Sequence, residues 1–238
     1  MMNQTLQKLV LLGFTDVAAA GCRALLGVDL EFYSDAEKLN YQIPARDGAS
    51  FLDIGLVSCK GDTEFDDAFS PIQIVNISSK NLSLVVVNCR PSWKISHEVV
   101  NGLMELFAKN QVETLYILTA LHCADAGKDL VYEKAMFKEK TKAFPDPPKD
   151  MRTSDEFFNK LIQFLHVEKI PTSCFIVTAK RAREGNASRE DGALGTIQAL
   201  QNLAEELTGV KFNLLTSREL VYSENKEDDN TEIKSMYL

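Results

Sequence analysis

The run Thr114-Leu115-Tyr116-Ile117-Leu118-Thr119-Ala120-Leu121 decides the fold of this chain. It is almost continuously apolar, and it follows a segment, Ile95–Asn110, that the spacing of its apolar residues predicts to be an amphipathic helix. The face of that helix carries Val99, Leu103, Leu106 and Phe107. A strongly apolar strand entered from a helix is typical of a sheet covered by helices on both faces. The run therefore indicates a three-layer α/β protein.

Three other segments are predicted to be helices. After the apolar run Lys8–Phe14, Thr15 or Asp16 can cap a helix that continues through Leu26. A second helix is predicted over Thr153–His166, capped by Thr153 or Ser154 and with Phe157, Leu161 and Leu165 on its face. The third runs from about Gly192 to Leu207 and is closed by Gly209.

Further strands alternate with these helices. Pro71–Ile77 and Leu82–Cys89 are separated by four polar residues and predict a β-hairpin. The charged, proline-bearing stretch from about 124 to 152 is predicted to be a loop. The remaining predicted strands are Lys8–Phe14, Phe51–Cys59, Ile170–Thr178 and a short one at Val210–Leu215. We therefore expect a mostly parallel sheet flanked by helices, with a β-hairpin, in a single domain over 1–222.

Composition excludes several classes of protein. The chain has 238 residues, 45% of them hydrophobic, so a core of ordinary size needs no metal or disulfide. A net charge of −8 argues against nucleic-acid binding, which requires clustered Lys and Arg. No stretch approaches the ~20 apolar residues of a membrane span. The five cysteines form no CxxC pair, which favours a reduced, intracellular compartment and predicts no metal site.

Recognisable catalytic apparatus is missing from the sequence. The motifs GxGxxG, GxxxxGK[ST], GxSxG and HExxH do not occur, and Gly13 alone cannot cradle a phosphate. The best enzymatic candidate is Cys123, beside His122, with Asp125 or a distant histidine as base. Adjacent residues on an extended chain point to opposite faces, however, so His122 and Cys123 would not form a dyad with each other. We predict no catalytic residue, no cofactor and no enzymatic activity.

Other polar and aromatic candidates have structural interpretations. His97 and His166 lie near helix ends and are interpreted as structural, His166 beside a helix C-terminal dipole. The mixed-charge loop Lys180–Glu184 is interpreted as a solvated turn and not as an anion site. Trp93 either anchors a partner or covers the edge of the core.

The C-terminus carries the strongest functional pattern. Residues 223–238 are predicted to be a flexible acidic tail, because Ser223–Ser235 is too polar to bury itself. The tail ends in Met236-Tyr237-Leu238, a hydrophobic residue, a tyrosine and a free carboxylate. Capture of a terminal carboxylate in a partner's pocket is a recurring recognition mode. We therefore predict that Met236, Tyr237 and Leu238 bind a partner.

Several stretches together resemble the assembly chaperones that help build the α-ring of the 20S proteasome. The resemblance lies in the order of elements and in short words of sequence, the most specific being the terminal hydrophobic-Tyr-X motif. The similar stretches are Leu9–Leu26, Leu84–Cys89 with the helix after it, Leu115–His122, Val167–Val177 and Met236–Leu238.

The resemblance implies a non-catalytic chaperone that promotes α-ring assembly as a heterodimer with a second, related chaperone. It implies that Leu238's carboxylate pairs with a lysine between two α subunits, while Tyr237 packs against the pocket wall and Met236 fills an adjoining apolar site. Proteasome α subunits and the second chaperone are the implied partners, with no nucleic acid and no membrane. The implied location is the cytoplasm, with the nucleus as an additional one.

Two alternative functions belong to other classes. A small-molecule enzyme of nucleoside-phosphorylase-like or hydrolase type would bring His122, Asp125 and charged loop residues into a pocket at the strand ends. A generic interaction module would present its terminal Leu238 and Ser235 to a PDZ-like groove. That spacing leaves Met236 and Tyr237 without a role.

Overall fold

The structure is a computed structural model of the whole chain. It describes residues 5–41, 43, 72–89, 91, 95–122, 131–141, 144–148, 153, 155–179 and 189–217. The predicted strand Phe51–Cys59, the loop Lys180–Glu184, Trp93, Cys123 and Asp125 lie outside these residues, as does the predicted tail. The division into 1–222 and 223–238 stays a prediction. None of the described helices is long and apolar enough to cross a membrane.

Seven strands of the described residues form one twisted sheet in the order β2-β3-β4-β1-β5-β7-β6. Parallel pairing joins β4 to β1, β1 to β5 and β5 to β7, whereas β2–β3, β3–β4 and β7–β6 are antiparallel. Only β3 and β6 therefore run against the common direction, which confirms the predicted mostly parallel sheet. The strands are β1 Leu9–Phe14, β2 Ala36–Asn40, β3 Ile72–Ile77, β4 Leu82–Val87, β5 Thr114–His122, β6 Val131–Met136 and β7 Thr172–Ala179.

Helices cover both faces of this sheet. The helices are α1 Ala20–Leu26, α2 Ser96–Lys109, α3 Glu156–Glu168 and α4 Arg189–Thr208. The helices α1 and α4 pack together on one face, and α2 and α3 on the other, each pair over its own apolar cluster. The predicted apolar faces of α2 and α3 are buried throughout. The three-layer α/β architecture is confirmed.

The hairpin prediction is also confirmed in detail. The strands β3 and β4 pair from Ile77–Leu82 to Ile72–Val87, and every residue of both is buried. A 3-10 turn over Ser78–Lys80 joins them, and Asn81 closes it in the left-handed region at φ 49°. Asn tolerates that conformation better than most residues because its short polar side chain bonds locally.

Two strands were missed because their pattern depends on distant partners. The stretch predicted to be a loop contains β6, which adds antiparallel to β7. Its sequence includes Glu133, yet this side chain is fully buried because its carboxylate accepts hydrogen bonds from the Thr141 backbone N–H at 2.9 Å and hydroxyl at 3.1 Å. The second missed strand, β2, is a largely exposed edge strand without apolar alternation.

Some local details were also predicted wrongly. The cap of α3 is Asp155, whose Oδ1 accepts the Phe158 N–H at 2.8 Å, while Thr153 instead accepts the N–H of Asp155. The expected last strand at Val210–Leu215 is a single bridge between Phe212 and Val28. The closing glycine of α4 is confirmed: Gly209 adopts φ 68°, and its N–H donates to the Glu205 carbonyl.

Candidate functional site

An open α/β sheet binds its ligands where neighbouring parallel strands send their connections to opposite faces. One such position lies between the carboxyl ends of β1 and β5, because the chain leaves β1 for α1 on one face and leaves β5, by way of β6, for α3 on the other. The carboxyl ends of β4 and β1 meet the same condition, because β4 leads to α2 on the face opposite α1. In the crevice between β1 and β5 the structure places a carboxylate.

The side chain of Asp16, two residues after β1, lies in this crevice. Its carboxylate accepts the N–H of Gly21 at 3.1 Å (Oδ1) and 3.3 Å (Oδ2), and Oδ2 also accepts the N–H of Ala120 in β5. The prediction that Thr15 or Asp16 caps α1 was wrong in position, because a 3-10 turn over Val17–Ala19 separates both residues from α1. The residue before α1 is Ala19, held in the left-handed region at φ 50°, and Asp16 reaches over it to the first turn.

Two glycines bring α1 unusually close to the sheet at the same point. A Cβ on Gly13 in β1 would lie 2.3 Å from the carbonyl oxygen of Gly21. A Cβ on Gly21 would lie 2.4 Å from the carbonyl oxygen of Leu118 in β5. Both contacts are with backbone, which cannot rotate away. Gly13, the glycine that precedes α1, therefore allows the helix to pack closely on the sheet.

Burial dominates the electrostatics of Asp16. It raises the pKa of this carboxyl from 3.8 to about 7, against the opposing effect of the N–H donors of Ala120, Gly21 and Ala20. Thr119 also lowers this pKa, although its Oγ1 makes no hydrogen bond of normal geometry within the described residues. The residue is partly exposed, but its carboxylate is surrounded by protein. Burial therefore keeps this carboxyl protonated to a higher pH than an exposed aspartate.

In this arrangement the hydrogen-bond donors of the crevice are satisfied by a side chain of the same protein. The first N–H groups of a helix after a parallel strand commonly hold a ligand phosphate. In this chain a carboxylate of the chain itself takes that position and joins α1 to β5. A second anion would face Asp16 and the tightly packed Gly13–Gly21 contact. The described part of the crevice therefore favours a structural role over substrate binding.

Of the sequence-predicted enzymatic candidates His122, Cys123 and Asp125, only His122 lies within the described residues. His122 is the last residue of β5, where its backbone pairs with Ala179. Its proposed companions Cys123 and Asp125 fall outside the description. The three described cysteines, Cys22, Cys89 and Cys174, are buried. Burial raises the pKa of the Cys174 thiol, which disfavours the reactive thiolate.

The two remaining histidines make ring contacts on the surface of the α2–α3 layer. His97, in the first turn of α2, lies edge-on to Phe164 of α3 with ring centroids 4.9 Å apart. His166, in the last turn of α3, lies 5.2 Å from the ring of Phe137. These contacts support the structural interpretation of both. Phe137 itself has φ 56°, a strained conformation for an aromatic residue.

Ser217, the last residue that the structure describes, lies at the opposite end of the sheet, where the parallel strands begin. Ser217 donates its Oγ–H to the Arg23 carbonyl at 3.0 Å, and a Cβ on Gly27 would lie 2.0 Å from that Oγ. The segment that carries the predicted partner-binding residues Met236, Tyr237 and Leu238 follows from this point. These three residues lie outside the described part, so their role stays a prediction.

Asp16 was considered from sequence only as a cap. The available signal was an acidic residue directly after a buried strand and a glycine, at the position where parallel-sheet proteins place functional groups. What the sequence does not show is that β5 neighbours β1, which supplies the Ala120 N–H and the burial.

The fold is shared with several solved structures. One is a protein of unknown function from Thermoplasma acidophilum (TM-score 0.66, 15% identity), with 95% of this chain and 88% of that chain covered. Another is PbaA of Pyrococcus furiosus, described as an archaeal homologue of proteasome-assembly chaperone (TM-score 0.63, 10% identity, 95% and 94% covered). A third is a proteasome-assembly chaperone homologue of Mycobacterium tuberculosis (TM-score 0.54, 14% identity, 96% and 97% covered). No protein-family model and no curated protein sequence matches the chain.

These likenesses define the class of fold. The chain is a single-sheet α/β protein with the fold of the solved proteasome-assembly chaperone homologues, aligned over nearly the full length of both chains. At 10–15% identity the likeness establishes the architecture and leaves the activity to be argued separately.

Proposed function

We propose that this protein is a non-catalytic chaperone for assembly of the 20S proteasome α-ring, of the assembly chaperone 1 type. In this proposal it acts in a heterodimer with a second, related chaperone and anchors itself between α subunits by Met236, Tyr237 and Leu238. It works in the cytoplasm, and in the nucleus as well.

The observation that carries the proposal is fold likeness to assembly-chaperone homologues over almost the whole chain. Two features support it. The Asp16 carboxylate accepts the N–H groups of Gly21 and Ala120 between β1 and β5, a position where an enzyme of this fold could bind an anion. The chain also ends in a hydrophobic-Tyr-X sequence, which suits capture by a pocket.

The tail by itself would bind weakly. Burying the side chains of Met236, Tyr237 and Leu238 contributes on the order of 1–3 kcal/mol each. A partly exposed carboxylate–lysine pair adds about 1 kcal/mol. Association costs roughly 4–15 kcal/mol, and ordering the tail costs more. Useful affinity therefore requires that the folded domain, or a second tail on the partner chaperone, touches the ring as well.

The first test removes the anchor without touching the fold. Tyr237→Ala and deletion of 236–238 should each reduce capture of α-ring intermediates at least tenfold, while leaving the thermal unfolding temperature unchanged. Ser235→Ala serves as the matched control, because it lies next to the motif without belonging to it. Equal capture by wild type and both tail variants would refute the anchoring role.

The second test addresses the enzymatic alternative. Native co-purification and mass spectrometry should recover α subunits and one related chaperone with the wild-type protein. His122→Ala should leave that recovery unchanged. A tightly bound metabolite in the purified protein, together with turnover that His122→Ala abolishes, would replace the proposal by the enzymatic one.

A further inference from the structure

The end of the domain from which the tail departs carries exposed apolar side chains. Phe32 is 69% exposed, Leu30 is 37% exposed and Leu215 is 63% exposed. Burying such side chains is favourable, so an exposed group of them commonly marks an interaction surface. We call Leu30, Glu31, Phe32 and Leu215 the tail-root face, because the described part of the chain ends at Ser217, two residues after Leu215.

Two chain segments that carry this face are bound to each other. Asp29 donates its backbone N–H to the Lys211 carbonyl at 3.0 Å, and Asn213 donates its own to the Gly27 carbonyl at 2.7 Å. The hydroxyl of Tyr33 accepts the Lys211 N–H at 2.9 Å. Ser217 packs against Gly27, where a Cβ would lie 2.0 Å from the Ser217 Oγ. Leu30 is three residues from Gly27 in sequence, so their Cα atoms are at most about 11 Å apart. The start of the tail and the exposed aromatic therefore belong to one end of the molecule.

The turn that presents Phe32 is well held. Residues Leu30–Phe32 form a 3-10 turn, and the Asp29 carboxylate accepts the Glu31 N–H at 3.3 Å. The backbone N–H of Tyr33 donates to the Leu30 carbonyl at 3.1 Å. Fixing an aromatic side chain in advance lowers the entropy that binding must remove. Such preorganised aromatics are typical of the residues that dominate an interface.

Charge indicates what kind of surface would cover this face. Glu31 is exposed between the two apolar residues, and Asp29 precedes them. Asp35 stays ionised, because hydrogen bonding from the backbone N–H of Ser79 holds its pKa below the usual value. Lys211 and Lys80 lie near this face: Lys211 is offset by Glu205, with 3.4 Å between Nζ and Oε2, and the Lys80 Nζ lies 3.4 Å from the position of a Cβ on Gly209. The carboxylates of Asp29, Glu31 and Asp35 still outnumber the cation that remains. The face is therefore apolar with an acidic rim and fits an apolar surface that carries lysine or arginine.

We infer that the tail-root face is the surface by which the folded domain docks beside the pocket that receives the tail, with Phe32 as its main anchor. This rests on the proposed function, which supplies a partner with a basic pocket. Twenty-one residues follow Ser217, and a chain of that length spans at most about 70 Å. A domain docked through residues next to Ser217 therefore keeps the terminal motif within that distance of the docked face. Binding through both contacts then raises the effective concentration of each.

The experiment measures affinity for rings of purified recombinant α subunits from the same organism. Phe32→Ser should weaken binding by about tenfold or more, the usual effect of removing a central aromatic from an interface. Val167→Ser is the matched control, because Val167 is also apolar and 74% exposed but lies at the end of α3 among mixed charges. It should change the affinity less than twofold. Phe32→Ser combined with deletion of 236–238 should abolish measurable binding.

A charge variant tests the acidic rim. Glu31→Lys should slow association at low salt, and the difference from wild type should shrink as salt rises. If the wild type binds the ring and Phe32→Ser binds it with the same affinity, the inference is overturned and the proposed function stands. Loss of pairing with the second chaperone, with ring binding by the lone chain intact, would overturn it too. Absence of ring binding by the wild type would overturn the proposed function and the inference together.

Discussion

The two ends of the sheet differ in how far their side chains are satisfied within the fold. At the carboxyl end of β1, the Asp16 carboxylate, the Gly21 N–H and the Ala120 N–H satisfy one another inside the fold. At the other end, Leu30, Phe32 and Leu215 leave apolar surface uncovered. In most enzymes of this architecture the first end carries the chemistry. Here, in the described part of that end, the Asp16 carboxylate occupies the position between β1 and β5, whereas the opposite end exposes apolar side chains.

The largest expected effect is on the pH dependence of stability. Because the folded pKa of Asp16 is raised to about 7, its contribution to stability is fully present below the unfolded value near 3.8 and is lost as the pH rises through about 7. Three pKa units correspond to about 4 kcal/mol. The free energy of unfolding of the wild type, measured by urea titration, should therefore fall relative to that of Asp16→Asn between pH 4 and pH 8.

Asparagine replaces one of the two acceptor oxygens of Asp16 by an NH2 group, which cannot accept an N–H, so part of the difference between the two proteins is independent of pH. The informative quantity is the change of that difference with pH. A difference that stays flat from pH 4 to pH 8 would mean that Asp16 titrates normally and that the crevice is open to solvent.

A second effect concerns the close approach of α1. Gly21→Ala places a methyl group against the backbone carbonyl of Leu118 and should lower the free energy of unfolding by about 3 kcal/mol. Gly195→Ala in α4 is the control, because a Cβ there meets no atom within 4 Å. That change should stabilise the protein by about 0.5–1 kcal/mol, since alanine is the better helix former. Chemical unfolding of both variants measures the contrast, and equal effects would show that α1 can move off the sheet.

The smallest effect is expected at the tail-root face. Phe32→Ser should change the free energy of unfolding by less than about 0.5 kcal/mol, because the ring is mostly in solvent already. Thermal unfolding of the isolated protein is sufficient to measure it. Destabilisation of 2 kcal/mol or more would show that Phe32 belongs to the core and would weaken the comparison between the two ends.

The sequence by itself determined the central elements of this protein. The apolar runs of β1, β5 and β7, the faces of α2 and α3, and the hairpin β3–β4 follow from periodicity, turn residues and glycine positions, which are local properties. The same local signals indicate the terminal Met236-Tyr237-Leu238 motif as a functional candidate. They could place neither the helix cap at Asp155 nor the strand β6, where Glu133 needs Thr141 to be buried.

Only the tertiary structure decided what each end of the sheet can do. The pKa of the Asp16 carboxyl is raised because β5 lies beside β1 and desolvates this group, against the opposing effect of the Ala120 N–H, which comes from more than a hundred residues away. Leu30 and Phe32 are exposed because the turn carrying them is held by Lys211 and Asn213, from the far end of the chain. Burial and its electrostatic consequences depend on such distant neighbours, and no local pattern encodes them.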